Sequence, residues 1–208
     1  MQIKVIEKFL KKDDFKKLSS LRLKTIHSDE IKVYHNNINQ NNIVKSTCLK
    51  KYIVKNMHKK YHSLALNILK ELNPDKISLY EYSEFHIIET GSKYSFPIHD
   101  DTPNKLLSGV VYLTPKSNCG TFFYKNKNGD QKREIKWKQN RAVFFSRLER
   151  QSWHSFRGDY KSNRLALVYN LMTTKIKKVA EIEKENYWIM QFRFLLNPYL
   201  YRFFKFTI

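Results

Sequence analysis

The placement of glycine constrains the fold of this 208-residue chain more than any other feature. Every glycine lies in one central region where short apolar runs alternate with turn-forming residues, at positions 91, 109, 120, 129 and 158. Such alternation is typical of closely spaced strands joined by turns. It predicts eight strands, at about 77–90, 94–99, 106–113, 120–125, 132–137, 141–147, 151–156 and 163–172.

Eight short strands at this spacing favour a double-sheet jelly roll over a parallel α/β sheet. No glycine-rich phosphate loop and no dinucleotide fingerprint accompanies the strands. The sequence therefore argues against nucleotide-dependent chemistry. We therefore expect a mainly β protein with flanking helices. Its core, at residues 76–172, is predicted to be a jelly roll of the double-stranded β-helix, cupin-like type.

Residues 1–75 are predicted to form an N-terminal helical support region, after one short strand. Asp13 or Asp14 is a candidate cap for a first helix. The polar, aperiodic stretch 35–42 is expected to be a loop. A second helix should end before Asn73, because proline follows and disfavours helical geometry in the residue before it. The apolar stripe that defines this helix is Met57, Tyr61, Leu64, Ile68 and Leu72.

Residues 173–208 are predicted to be a C-terminal helical extension of the same domain, and its last 22 residues are unusually aromatic. Two interpretations stay open for 187–208. The segment packs on the domain or on a second copy in a homodimer, or it contacts a membrane peripherally through aromatic and basic side chains. Pro198 counts against a single long amphipathic helix at the membrane surface.

The charge is strongly basic, with 39 Lys and Arg against 19 Asp and Glu. Residues 1–60 hold 15 basic and five acidic residues, so half of the net charge of +20 lies in the first third of the chain. Such a field attracts nucleic acid, anionic lipid or acidic substrates. A bias towards Lys, Asn and Ile explains the same charge through genome composition, and the sequence does not choose between the two.

Targeting and cysteine patterns point to a cytoplasmic protein. No apolar run reaches the roughly 18 residues of a membrane-spanning helix, and the N-terminus lacks the apolar segment of a signal peptide. Cys48 and Cys119 are too few for a disulfide framework or a four-cysteine zinc site, so both are expected to be idle thiols.

The segment FPIHDD, residues 96–101, carries the main chemical signal. His99 and Asp101 are two residues apart, so in a strand both side chains point to one face. His154 lies in a later predicted strand and is a candidate third ligand. Two histidines and one carboxylate around open positions are the ligand set of non-haem Fe(II) oxygenases. Arg164, in an otherwise apolar strand, would be costly to bury without an anion.

In this order of residues the chain resembles the 2-oxoglutarate- and Fe(II)-dependent dioxygenases, nearest to their prolyl 4-hydroxylase-like branch. The resemblance covers about residues 77–172 and includes the segments HDD, LSGVVYL, GTFFY and SWHS, followed by Arg164. It implies an enzyme that couples decarboxylation of 2-oxoglutarate to succinate with hydroxylation of a substrate by dioxygen. The sequence does not identify the substrate. A protein side chain, a sugar and a small molecule all remain open, and so does the question whether the substrate is anionic.

The resemblance implies roles residue by residue. His99, Asp101 and His154 correspond to the iron ligands, and no catalytic residue is implied beyond them. Arg164 corresponds to the partner of the distal carboxylate of 2-oxoglutarate, and Tyr112 to a tyrosine that bonds the same carboxylate. Members of the family often have serine two residues after the arginine, where this chain has Ala166. A retained Asp101 favours hydroxylation over halogenation, because halogenating relatives lose this carboxylate.

Several alternatives remain beside this interpretation. Asp100 could replace Asp101 as a ligand, although its side chain should face away from His99. His58 and His62 have metal-binding spacing on a helix but no evident third ligand. A nucleic-acid demethylase of the same superfamily would suit the charge, but the Arg-x-Asn-x-x-x-Arg run of those enzymes is missing after Arg164. A non-enzymatic metal-binding jelly-roll module is the third alternative.

Overall fold

The computed structural model describes residues 1–200 and 206–207, with side chains described as far as residue 196. Four α-helices flank the strands in this part of the chain, and a 3-10 helix lies at Pro74–Leu79. The helices are α1 Lys12–Ser19, α2 Lys51–Leu72, α3 Ile176–Glu183 and α4 Tyr187–Leu200.

The described residues contain thirteen strands. In chain order, β1 to β13 are Lys4–Ile6, Ile31–Tyr34, Asn36–Asn39, Val44–Ser46, Tyr82–Thr90, Ser95–His99, Lys105–Thr114, Thr121–Phe123, Arg133–Ile135, Ala142–Ser146, His154–Arg157, Arg164–Met172 and Phe206–Thr207. The eight strands predicted for the central region correspond to β5–β12. The first begins later than predicted, because the 3-10 helix takes up residues 74–79.

The strands form two sheets. The major sheet has the order β1-β10-β7-β12-β5-β2-β13, and β3 extends it by pairing with β5 and β4. The minor sheet has the order β6-β11-β8-β9. All pairs are antiparallel except that of β13 with β2. This arrangement confirms the predicted double-stranded β-helix core with flanking helices.

Strand β12 shows why the sequence of the core is so apolar. Its odd-numbered side chains, Leu165 to Leu171, belong to the main hydrophobic cluster shared with the helices. The side chains from Arg164 to Met172 at even positions line a cavity instead. Because both faces of the strand are covered, both are largely apolar, and the polar exceptions Arg164 and Asn170 point into the cavity.

Helix α2 covers the outer face of the major sheet. It buries Met57, Tyr61 and Ile68 of the predicted stripe and ends at Leu72, before Asn73, as the sequence predicts. The predicted cap of α1 is wrong, because the N-cap is Lys11 and makes no side-chain bond. Asp14 instead lies in the first turn and accepts hydrogen bonds from Lys60 and Tyr61 of α2, at 2.8 and 2.7 Å.

The N-terminal region contains more strand than predicted. Residues 36–39, inside the expected loop, form β3, and β2 and β4 lie on either side. The amide of Asn36 compensates for the low strand propensity of this stretch. Its side chain is buried, donates to the carbonyl of Phe85 at 3.0 Å and accepts from the hydroxyl of Ser46 at 2.7 Å. Tertiary hydrogen bonds thus decide the conformation here, not periodicity.

The C-terminal aromatic segment forms α4, which packs on α3 and runs two residues past Pro198. Met190 is buried, whereas Trp188 and Phe192 are 75% and 62% exposed. Residues 201–205 and 208 of the segment lie outside the described residues. None of the described helices is both long enough and apolar enough to span a bilayer.

Candidate metal centre

Two strands of the minor sheet bring the predicted ligands together. His99 ends β6 and His154 begins β11, and the two residues are direct partners in the strand register. Asp101 follows β6 by two residues. One ligand atom from each of the three side chains lies within 4.8 Å of the others. The Nε2 atoms of His99 and His154 are each 3.9 Å from an oxygen of Asp101.

The backbone orients both imidazole rings. Nδ1 of His99 is 3.0 Å from the carbonyl oxygen of Pro97, and Nδ1 of His154 is 2.8 Å from that of Ser152. A carbonyl only accepts, so each Nδ1 carries a proton, and in the neutral form of each ring Nε2 then keeps its lone pair. In each ring, Nε2 is the nitrogen that faces Asp101. This tautomer is the one that a metal-binding histidine needs, and its Nδ1–H bond is the usual second contact of such a ligand.

Asp101 is held in place by two donors. Lys105 donates to Oδ1 at 2.6 Å, and Ser108, on β7, donates to Oδ2 at 2.5 Å. Burial would raise the pKa of the Asp101 carboxyl, but the Lys105 ammonium and the two imidazoles hold it well below its ordinary value. Burial, together with the neighbouring His154, lowers the pKa of His99 to about 3. The group therefore presents a carboxylate and a neutral imidazole at neutral pH.

The chemistry of these donors fits a divalent first-row metal ion. Two imidazole nitrogens and one carboxylate oxygen converge, and together they occupy three positions of such an ion. A closed structural zinc site needs a fourth protein ligand. Among the described residues no further His, Cys, Asp or Glu joins the group. The residues present therefore suit an ion that keeps open positions for other ligands.

The group faces a cavity of about 390 Å³ between the two sheets. Most of its wall is apolar and includes Phe96, Phe145 and Phe156. Arg164 lies in the same wall, 4% exposed. A cavity of this size with few polar groups is typical of a small-molecule site.

Arg164 is buried and forms no ion pair with the residues that the structure describes. Its Nη1 donates to the carbonyl of Arg157 at 3.0 Å, and its guanidinium lies 4.8 Å from the ring centre of Trp137 and 5.1 Å from that of Phe156. Among the described residues no carboxylate lies within 4.0 Å of it. Burial lowers the pKa of Arg164 to about 10, although nearby Tyr112 opposes this effect. The guanidinium stays charged at neutral pH and therefore favours an anion in the cavity.

Tyr112 is fully buried on β7 and stacks on Trp137, with ring centres 4.4 Å apart. Its hydroxyl donates to Oγ1 of Thr121 at 2.8 Å and accepts from the amide of Thr121 at 3.0 Å. The cavity wall includes Thr121 and not Tyr112 in the described part of the chain. Tyr112 thus lies behind the wall, and its contact with a cosubstrate stays a prediction.

Asp100, the alternative ligand, faces away from the cavity. Its carboxylate accepts hydrogen bonds from the hydroxyl of Ser152 and, at 2.8 Å, from the amide of Arg150. Arg147 and Arg193 lie 3.9 and 3.8 Å from the same carboxylate. Asp100 thus points away from His99, as strand alternation predicts, and Asp101 as the metal ligand stays a prediction.

His58 and His62 lie on α2 with ring centres 4.3 Å apart, and the second ring packs on Tyr80. Burial lowers the pKa of both imidazoles, to about 4 for His58, which keeps them neutral. No third metal-ligating side chain joins them among the residues that the structure describes. This pair belongs to the half-buried helix face.

Sequence reasoning missed a second polar group in the cavity, formed by His35, Glu84 and His86. Nε2 of His86 is 3.3 Å from both Nδ1 of His35 and Oε2 of Glu84, and the amide of Asn170 donates to the same oxygen at 2.9 Å. Burial would raise the pKa of Glu84, but His86, Asn170 and Lys105 lower it to about 2. The signal was the Glu84-x-His86 spacing, which places both side chains on one face of β5.

Comparisons with known proteins agree with this geometry at the level of fold. No protein-family model matches the chain, and no curated protein matches it in sequence. A prolyl-4-hydroxylase from Pseudomonas putida superposes with a TM-score of 0.53 at 14% identity, covering 82% of this chain and 92% of that one. A 2OG-Fe(II) oxygenase-family oxidoreductase from Burkholderia pseudomallei gives 0.48 at 14% identity, covering 82% and 84%.

A third solved structure is a prolyl hydroxylase from Trichoplax adhaerens, bound to a peptide fragment of the oxygen degradation domain of hypoxia inducible factor. It superposes with a TM-score of 0.53 at 16% identity and covers 86% of each chain. The likeness suggested by the motifs is thus confirmed in three dimensions. This chain has the double-stranded β-helix fold of the prolyl hydroxylases, with His99, Asp101 and His154 gathered in its central cavity.

Proposed function

We propose that this protein is an Fe(II)- and 2-oxoglutarate-dependent oxygenase, and specifically a hydroxylase. The single observation that carries the proposal is one cavity that contains both an open His-Asp-His group and a buried guanidinium, with no carboxylate among the described residues within 4.0 Å of it. The first suits a metal ion with free positions, and the second suits the far carboxylate of a dicarboxylic acid. The prolyl hydroxylase fold supports the same reaction class.

In this proposal His99, Asp101 and His154 hold Fe(II), and the ion with 2-oxoglutarate and dioxygen supplies the oxidising chemistry. The protein orients the ligands and surrounds them with a largely apolar wall. The carbonyls of Pro97 and Ser152 keep the two Nε2 lone pairs aimed at one point. Lys105 and Ser108 keep the Asp101 carboxylate ionised and directed at the same point. The Asp101 carboxyl is ionised and the His99 imidazole is neutral at neutral pH, so these two ligands need no proton transfer before they bind the ion.

Arg164 has the role of binding the distal carboxylate of 2-oxoglutarate through its planar fork. Tyr112 and Thr121 supply polar support behind it, since their hydroxyls are bonded to each other at 2.8 Å. Ala166 lies two residues beyond Arg164 on the same face, where related enzymes often have serine. Arg164 therefore provides most of the binding of this carboxylate in our proposal, with Thr121 as the available wall hydroxyl.

The substrate class at this level stays broad: a protein side chain, a sugar or a small molecule. The peptide bound by the Trichoplax adhaerens enzyme makes a peptide substrate one reasonable candidate, and an aromatic α4 beside the cavity, through Phe194, offers apolar contact. Nucleic acid is the alternative that the net charge of +20 would suit. Contact of 187–208 with a membrane and homodimer formation also stay hypotheses.

The test is an anaerobic titration of metal-free protein with Fe(II) and then 2-oxoglutarate, monitored for the weak visible charge-transfer band of the chelate. We expect the band in the unaltered protein, its loss in His99→Ala, and a weaker cosubstrate affinity in Arg164→Ala. Arg157→Ala is the matched control, because Arg157 is exposed on strand β11 and its backbone carbonyl, which the substitution keeps, accepts the hydrogen bond from Arg164. Succinate release with candidate substrates then identifies the substrate.

Two results would contradict the proposal. One is tight zinc binding with no band on addition of 2-oxoglutarate, which would favour the non-enzymatic metal-binding module. The other is a band of equal intensity and equal 2-oxoglutarate dependence in Arg164→Ala, which would remove the guanidinium from cosubstrate binding.

A further inference from the structure

A second cavity adjoins the metal cavity. It has a volume of about 520 Å³ and shares two residues with the wall of the first, Val33 of β2 and His35, which follows β2. These two residues therefore border both spaces. The second cavity, here termed the basic cleft, is lined by Arg22, Leu23, Lys24, Lys32, Val33, Tyr34, His35 and Thr47.

The charge of the basic cleft is one-sided. Arg22, Lys24 and Lys32 line it, and none of its described lining residues is acidic. Across the sheet, the carboxylate of Glu89 belongs to the register partner of Lys32. Even if Glu89 neutralises one cation completely, two positive charges are left in the cleft at neutral pH. Lys32 is held beside the cleft by the Tyr34 ring, whose centre lies 5.5 Å from its ammonium.

The loop that carries Arg22 and Lys24 is tied to the body of the protein. The amide of Gly91 donates to the carbonyl of Glu30 at 2.8 Å, and that of Lys93 donates to Ser28 at 2.7 Å. Gly91 is required at this contact, because a Cβ there would lie 2.4 Å from the carbonyl oxygens of His27 and Ser28. The cleft is therefore built against the turn that leads into β6, the strand of His99.

The metal cavity has the opposite character. Its charged lining side chains among the described residues are Glu84, Asp101, Lys105 and Arg164, and their charges cancel. The proposed occupants, a divalent ion and the dianion of 2-oxoglutarate, also cancel. A substrate group that enters this space therefore meets no net charge, whereas a group in the basic cleft meets at least two positive charges. Such a difference in charge favours an anion in the basic cleft over an anion in the metal cavity.

We propose that the basic cleft binds a dianionic phosphoryl group of the substrate, and that the uncharged part of the same small molecule extends past His35 to the metal centre. The position of the reacting part rests on the proposed function. Binding of the phosphoryl group rests only on Arg22, Lys24 and Lys32 and needs neither metal nor 2-oxoglutarate. A dianion matches the two uncompensated positive charges that the cleft retains.

The test uses the metal-free full chain and inorganic phosphate as the probe. Phosphate is titrated at constant ionic strength, and binding is followed by calorimetry and by backbone amide shifts of Val33, His35 and Thr47. We expect saturable binding with a dissociation constant of about 1 mM and shifts concentrated at these amides. The triple variant Arg22→Gln/Lys24→Gln/Lys32→Gln should weaken binding at least roughly tenfold.

A matched triple variant removes the same charge elsewhere. Lys59→Gln/Lys70→Gln/Lys178→Gln changes exposed lysines of α2 and α3, outside both cavities, and should leave phosphate affinity within about twofold. Arg22→Gln/Lys24→Gln, which alters only exposed residues, replaces the first triple variant if Lys32→Gln impairs folding. Acetate and sulfate titrations distinguish the phosphoryl group from other anions, and we expect weaker binding of acetate.

The proposal is overturned if phosphate does not saturate, if both triple variants lose the same affinity, or if acetate binds as well as phosphate. Failure of the proposed function gives a different pattern, since the charge-transfer band would be absent while phosphate still shifted the amides of β2. If a nucleic acid were the ligand instead, a single-stranded oligonucleotide would bind more tightly than phosphate. The control triple variant would then weaken oligonucleotide binding as much as the cleft triple variant does.

Discussion

Two ionic clusters lie on opposite sides of the Asp100-Asp101 peptide, and they differ in how completely their charges are paired. Asp101 belongs to the metal centre, where two imidazole lone pairs and a carboxylate face a cavity. Asp100 belongs to a buried network in which each charged group meets an opposite charge. Its members are Lys76, Asp100, Arg147, Glu149, Glu183 and Arg193.

Arg147 is the centre of this buried network and is fully buried. It contacts Glu149, donates to Glu183 at 2.8 Å, and lies 3.9 Å from Asp100. Glu183 also accepts from Lys76 at 2.5 Å, so the network ties α3 to the 3-10 helix and to the loop after β10. In the buried network every charge has an opposite partner, so the network holds parts of the fold together. In the metal centre the ligand atoms face a cavity, so they can bind a further ligand.

The largest effect is expected from Arg147→Met. Removing the guanidinium leaves three buried carboxylates with Lys76 and Arg193 as their remaining partners, and breaking such a pair costs about 3–5 kcal/mol of folding free energy. Urea denaturation measures the loss. Arg150→Met, at an exposed neighbouring position, should change stability by less than about 0.5 kcal/mol. An equally small effect of Arg147→Met would remove the distinction between the two clusters.

The two adjacent aspartates provide the sharpest comparison. The binding free energy of a protein metal site, about 10–16 kcal/mol, is divided among three or four ligands. Loss of the charged ligand in Asp101→Asn should therefore weaken metal binding roughly several hundredfold. Asp100→Asn should leave metal affinity nearly unchanged and lower the stability instead. Competition with a chromophoric chelator gives the first quantity and denaturation the second. The same loss of metal affinity in both variants would contradict the assignment of Asp101 as the ligand.

Ser108→Ala tests the support of the metal centre from the major sheet. The hydroxyl of Ser108 donates to Oδ2 of Asp101 at 2.5 Å, and loss of such an outer contact lowers metal affinity by about 10–100-fold. The chelator competition used for Asp101→Asn measures this effect too. Ser155→Ala is the control, because Ser155 lies next to His154 but its hydroxyl bonds Tyr124 at 2.9 Å. A tenfold loss in the control as well would point to disturbed packing.

The smallest effect is expected at Glu84, on the cavity wall. Its pKa is lowered to about 2 in the folded protein, below the ordinary value of 4.5. The ionised carboxylate therefore stabilises the fold above about pH 4.5, and this contribution is lost as the pH falls towards 2. Glu84→Gln should cost roughly 1–2 kcal/mol at pH 7 and nearly nothing near pH 2.

Denaturation of Glu84→Gln and of the unaltered protein at several pH values checks this prediction. Glu71→Gln, at an exposed helix position, should differ from the unaltered protein by less than about 0.5 kcal/mol at pH 7. A stability difference for Glu84→Gln that persists at pH 2 would mean that the carboxylate acts through packing and not through its charge.

Much of the candidate site could be predicted from local rules. The alternation of a strand places His99 and Asp101 on one face and Asp100 on the other, and the structure has this arrangement. Period-two patterning and turn residues predicted β5–β12 within a few residues at most ends. The cap of α1 and the strand β3 could not be predicted, because partners from Lys60, Phe85 and distant elements decide them.

The sequence by itself determined the jelly-roll core, the helix α2 and the candidate metal ligands, because hydrophobic period and ligand spacing act over a few residues. Only the tertiary structure decided which charges are paired. Lys76 meets Glu183 across 107 positions, and Arg22 lines the same cleft as Thr47. Buried electrostatics depends on the distance between groups far apart in the chain, and no local pattern encodes that distance.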